Sequence, residues 1–116
     1  MTILEKDEMC MGVTANTTAK LTSQHGLFYN YLVNTNSSDF AKKYLKANEN
    51  AIRLVEDIIK KENIECDYES QDAFVYTKAK TEVQKIKEEV DILELLGFDA
   101  EFVDQVSLPF DILRSY

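Results

Sequence analysis

The sequence predicts an α+β fold, and three observations carry that prediction. Residues 38–62 and 81–96 repeat apolar side chains at spacings of three and four, the pattern of helices buried on one face. Short β-prone runs lie at residues 2–5, 72–78 and 100–106. The chain has 116 residues, 45% apolar and 29% charged, which fits a single globular domain with a modest core. The expected architecture is two long amphipathic helices, a shorter helical N-terminal segment, and a small sheet built from a strand–helix–strand unit.

Residues 2–5, TILE, read as a strand that is apolar on both faces and bounded by the charged KDE. Residues 14–33 read as helical in parts: Ala15, Ala19, Leu21, Leu27, Phe28, Tyr31 and Leu32 suggest apolar stripes, interrupted near Gly26. A turn cluster of Asn34, Asn36, Ser37 and Ser38 follows. Ser37 or Ser38 caps the next helix, and Asp39 suits its positive first turn.

Helix 38–62 is the clearest element. Phe40, Tyr44, Leu45, Ala51, Ile52, Val55, Ile58 and Ile59 form its apolar pattern; Lys42, Lys43, Lys46, Glu49, Asn50, Arg53 and Glu56 largely occupy the other faces. Lys60 and Lys61 suit its negative end. In 81–96, Thr81 and Gln84 have capping-box spacing. Val83, Ile86, Val90, Leu93 and Leu96 form one stripe, and Gly97 sits where a left-handed cap belongs. The runs at 72–78 and 100–106 then flank a crossover helix, which predicts parallel or neighbouring strands.

Composition narrows the function. A net charge of -8 argues against a nucleic-acid partner, which would need a basic face, and against adsorption to anionic membranes. No apolar run approaches the ~20 residues of a membrane span. The opening MTILEKDE lacks a signal peptide's apolar region, so the expected compartment is the cytoplasm with reduced thiols. Cys10 and Cys66 are too few and too far apart for a disulfide scaffold or a four-ligand zinc site. His25 is the only imidazole, and no spacing ties it to a thiol or an acid pair. No catalytic and no metal-ligating residue is assigned.

The N-terminal third holds what chemistry the residues suggest. An apolar run ends in Glu5, as the second strand of a dinucleotide-binding unit ends in a ribose-binding acid. The glycine fingerprint belongs about 20 residues before that acid, whereas only four precede Glu5. The expectation is therefore a chain that begins inside a cofactor site, with an ordinary surface acid as the alternative reading of Glu5. Thr14, Thr17 and Thr18 of TANTT offer hydroxyls and backbone N–H groups to a phosphate or ribityl chain; plain helix capping is the alternative.

Taken together, TILEKDE…GVTANTTAKLTSQHGLFYNYL resembles the second strand and flavin-contacting loop of FAD-dependent amine and amino-acid oxidoreductases of the D-amino-acid oxidase and glycine oxidase type. TTAKLTSQHG is most similar to a bacterial subgroup whose members end in a Rieske iron–sulfur domain. DAFVYTKAKTEVQKIKEEVDILELLGFDAEFVD resembles the strand–helix–strand of that family's substrate-side domain. The resemblance implies FAD as cofactor and an amine substrate in a complete enzyme. It implies that Glu5 binds the adenosine ribose, that Thr14, Ala15, Thr17 and Thr18 approach the pyrophosphate and ribityl chain, and that Lys20, Leu21 and Thr22 pass close to the flavin ring. Residues 1–33 would then belong to the flavin-binding region and residues 34–116 to the helical, substrate-side region.

The departures from the family are large. The glycines are Gly12, Gly26 and Gly97, so GxGxxG is absent, and one histidine cannot complete a Rieske ligand set. The chain reads as an internal fragment of a flavoprotein, not catalytically competent and not expected to hold FAD tightly alone. A stand-alone interaction or scaffold protein is the alternative. Open strand edges and apolar surface further predict a homodimer or small oligomer, in which residues 2–33 of one chain cover another.

Overall fold

The computed structural model describes Leu4, Lys6, residues 8–103 and Arg114–Ser115. Three helices dominate: α1 is Tyr29–Thr35, α2 is Ser38–Glu62 and α3 is Val83–Leu96. Among the described residues a single strand pair, β1 (Tyr76–Thr77) and β2 (Arg114–Ser115), completes a small α+β fold. Short 3-10 turns lie at Val13–Asn16 and Lys80–Glu82.

The helix signals in the sequence act as expected. Ser37 is extended, and its hydroxyl accepts from the Phe40 N–H at 3.1 Å, capping α2; Asp39 lies in the first turn and Lys60 and Lys61 in the last. Asn63 takes a left-handed conformation (φ 49°) and stops the helix there. At the end of α3, Gly97 has φ 84°; its N–H donates to the Glu94 carbonyl and the Phe98 N–H donates to the Leu93 carbonyl, both at 2.9 Å. This is the paired-bond ending in which only glycine carries no side-chain penalty.

Other expectations need correction. The run at 72–78 contributes only Tyr76–Thr77, and that strand pairs antiparallel with Arg114–Ser115, in the register Tyr76↔Ser115 and Thr77↔Arg114. Residues 100–102 are unpaired, and the rest of the run at 100–106, beyond Val103, lies outside the described residues. The reason is local. Residues 63–74 are all exposed, whereas Val75, Ala100 and Phe102 pack against the helical core, so helices rather than strand partners hold these runs. The Thr77 hydroxyl also accepts from the Ala79 N–H at 3.0 Å and turns the chain into the 3-10 turn. That turn places Thr81 within Lys80–Glu82, and neither it nor α3 has a side-chain cap, so the Thr81–Gln84 box does not form. Of residues 14–33, only the start of α1 and most of the turn at Val13–Asn16 are helical. The run at 2–5 falls largely outside the described residues; Leu4 is exposed.

The core is small and lies at one end. Tyr29 and Leu32 of α1, Ala41 and Leu45 of α2, and Ile86, Val90, Leu93 and Leu96 of α3 form one buried cluster. No residue between 46 and 85 is buried. Helix α2 has 25 residues and is therefore about 37 Å long, so its second half projects beyond the core. Among the described residues, no helix is long and apolar enough to cross a membrane.

Candidate functional site

The best-built polar arrangement centres on Glu89. Its periodic position, between Ile86 and Val90 on the apolar stripe of α3, carries it into the core, where it is fully buried. Its two carboxyl oxygens accept from the backbone N–H groups of Tyr29 at 2.7 Å and Asn30 at 2.8 Å. These are the first residues of α1, whose N–H groups have no intrahelical acceptor. Phe28 precedes that helix and supplies no side-chain cap. The cap comes instead from α3, about 60 residues later in the chain, and an ionised carboxylate offers acceptors at both oxygens. The Tyr29 hydroxyl donates to the carbonyl of buried Ser23, which ties the preceding loop to the same core. Sequence reasoning missed Glu89; the available signal was an acid three residues after Ile86, on a stripe otherwise apolar.

An aromatic group flanks this staple. The His25 ring meets Phe28 and Tyr44 edge-on at 6.5 and 6.1 Å, and Tyr44 also meets Phe28 and Tyr29. His25 therefore acts as a packing residue at the turn before Gly26 (φ 68°).

The residues singled out in the N-terminal loop sit as follows. Thr14 and Ala15 lie in the 3-10 turn Val13–Asn16. Thr17 is extended, and its hydroxyl accepts from the Ala19 N–H at 3.2 Å. Thr18, Lys20 and Leu21 are exposed, and the Thr22 hydroxyl accepts from the Gln24 N–H at 3.0 Å. Glu5 lies outside the described residues. The 3-10 turn is only four residues long, and no α-helix follows it directly.

Two surface features complete the inventory. Between α2 and the end of α3 lies a cleft of about 450 Å³, lined by the cations Lys42, Lys46 and Arg53, the acids Glu49 and Asp99, and the apolar Leu45, Leu96 and Phe98. Sequence reasoning assigned those cations to solvated faces; the packing of Gly97 and Phe98 beside them makes the cleft. A second depression, near the end of α2, includes Glu56, Ile59, Cys66 and Tyr68. There the Tyr68 hydroxyl donates to Oε1 of Glu56 at 2.8 Å. That bond, with desolvation and the carboxylate's charge, holds the phenol's pKa above its ordinary value. Cys10 and Cys66 are both free and exposed. Among the described residues, no group of three or more His, Cys, Asp or Glu side chains is placed to hold a metal ion.

Comparison with known proteins bears on these features. The chain is similar to a stretch of "Putative Rieske 2Fe-2S iron-sulfur protein YhfW" of Bacillus subtilis (strain 168). The two are 33% identical over 107 residues. That match covers 92% of this chain but only 21% of the relative's length. No family model matches the chain. No solved structure matches it.

This finding corrects the flavin expectation. The relative's description is of a Rieske 2Fe-2S iron–sulfur protein, and nothing in the comparisons supports an FAD-dependent amine or amino-acid oxidoreductase. The FAD cofactor and the flavoprotein function drawn from the resemblance are therefore withdrawn; the connection to a Rieske-type protein stands. The physical weakness of the flavin inference lay in its evidence: a short polar loop and an acid at a strand end, with no glycine turn behind them.

The donor set of this chain falls short of a Rieske centre. Such a centre takes two thiolates and two imidazoles. This chain has Cys10, Cys66 and His25 only, one imidazole short. His25 packs on Phe28 and Tyr44, and both cysteines lie on the surface. The residues present do not fit the cluster.

Proposed function

We propose that this chain is a helical docking segment of a Rieske-type iron–sulfur system, one that packs against the cluster-bearing part and supplies no cluster ligand. The observation that carries the reading is the 33% identity along 92% of the chain to a protein described as Rieske-type, set beside a sequence with one histidine. The surface supports it. Leu54 and Ile58 on the projecting half of α2, and Ile64 just beyond it, are large apolar side chains exposed to solvent. Leu54 and Ile58 are four residues apart, hence neighbours on one helix face, and contiguous exposed apolar surface is what marks a contact site. The reading puts the chain in a reducing compartment, the cytoplasm, where two exposed free thiols persist.

The test is a binding titration of the purified chain against a separately produced Rieske polypeptide with its cluster loaded, taken from a protein of this kind. The expected result is a stoichiometric complex at micromolar concentration, weakened at least tenfold by Leu54→Glu with Ile58→Glu. Two species that elute separately at every concentration would overturn the proposal.

A further inference from the structure

We infer that two copies of this chain associate through an exchange of opposite charge, the acidic segment after α2 of each copy lying in the cationic cleft of the other. The cleft is built for an acidic occupant. Lys42, Lys46 and Arg53 share one face of α2, at spacings of four and seven. Among the described residues, none of the three enters an ion pair: the pairs formed are Lys43–Asp39, Lys61–Glu62 and Lys85–Glu82. The lining holds these three cations against two acids, Glu49 and Asp99, beside an apolar floor, so the cleft is net positive in a protein of net charge -8.

The complementary segment is in the same chain. Residues 63–74 are all exposed and carry no regular structure. They present Glu65, Asp67, Glu69 and Asp72, none of them in an ion pair among the described residues. Tyr68 and Phe74 add exposed aromatic rings suited to the Leu45–Leu96–Phe98 floor.

Geometry fixes how the two meet. In an antiparallel pair of α2 helices related by a two-fold axis beside residue 55, residue 48 of one copy lies opposite residue 62, the last helical residue, of the other. Each is seven residues, about 10 Å, from the axis. Lys42 and Lys46 thus lie beside the helix end from which the other copy's acidic segment departs. The same register sets Arg53 opposite the exposed Asp57 of the second copy, since both lie two residues from the axis. The interface is self-complementary, as a two-fold pair requires. It differs from the surface that residues 2–33 were expected to provide, and it does not depend on the Rieske connection.

The test is sedimentation equilibrium on the full chain and on charge-exchanged variants. The wild-type chain is expected to dimerise, and more weakly as salt rises. Lys46→Glu with Arg53→Glu should raise the dimer dissociation constant at least tenfold, and so should Asp57→Lys with Glu65→Lys. The four changes together should return it to within about threefold of wild type, because the exchanged charges pair again; loss of folding in one double variant would not produce that recovery. A wild-type monomer at about 100 µM would overturn the inference. So would a quadruple variant no tighter than either double, or a monomer that instead takes up a short acidic peptide.

Discussion

Replacement of Glu89 by alanine is expected to lower the stability of the chain by about 2–5 kcal/mol, because it strands two backbone donors at the start of α1. The N–H groups of Tyr29 and Asn30 have Glu89 as their acceptor, and Tyr29 is itself buried. Water cannot easily replace a partner at a site the core has closed, and each orphaned buried donor costs about 1–3 kcal/mol. Glu89→Gln should fall between wild type and alanine. Its amide oxygen still accepts from one N–H, while its amide nitrogen, a donor, faces the other. The loss should begin in α1, so amide hydrogen exchange of residues 29–35 should accelerate before that of α3. Urea unfolding gives the total; a change in Glu89→Ala below about 1 kcal/mol would mean that the carboxylate does not hold α1 in place.

Truncation of Leu93 is the second large effect. Leu93 is 1% exposed and belongs to a core of eight buried apolar side chains, so few neighbours remain to close around a void. Leu93→Ala should cost about 2–5 kcal/mol, a large share of the ~5–15 kcal/mol that holds a domain folded. Leu95 supplies the control on the same helix. It is 67% exposed, and Leu95→Ala should stay within about 0.5 kcal/mol of wild type. Equal losses at the two positions would contradict the assignment of faces on α3.

Both residues show what the sequence made legible. Leu93 could be found because helical periodicity is a local property: Ile86, Val90, Leu93 and Leu96 announce one buried face without reference to the rest of the chain. The Ser37 cap and the Gly97 ending were legible for the same reason. Glu89 was not, because its partners lie about 60 residues away and a buried acid looks like a surface acid until the helices are docked. The sheet was misjudged for a related reason. β-propensity at 72–78 and 100–106 describes side chains that suit a half-buried face, and Val75, Ala100 and Phe102 do pack on the core, but only Tyr76–Thr77 of the run at 72–78 finds a backbone partner, in Arg114–Ser115.

The functional reading failed and held in different places. The Thr-rich loop and Glu5 suggested a nucleotide cofactor from residue types alone, and the comparison with a Rieske-type protein removed that inference. The histidine count was a stronger constraint, since a ligand that is missing from the sequence cannot be supplied by folding. The unpaired cations Lys42, Lys46 and Arg53 were visible as residues but not as a cleft, because the wall opposite them comes from the end of α3.

The central claim is that this chain serves a Rieske-type protein without holding its cluster. Anaerobic reconstitution of the purified chain with ferrous iron and sulfide tests it most directly, read by bound iron per chain and by the low-temperature electron paramagnetic resonance of the reduced sample. The account predicts no stoichiometric iron and no signal of a mixed-ligand [2Fe–2S] centre. Two irons per chain with a Rieske-type spectrum, lost in His25→Ala, would contradict it.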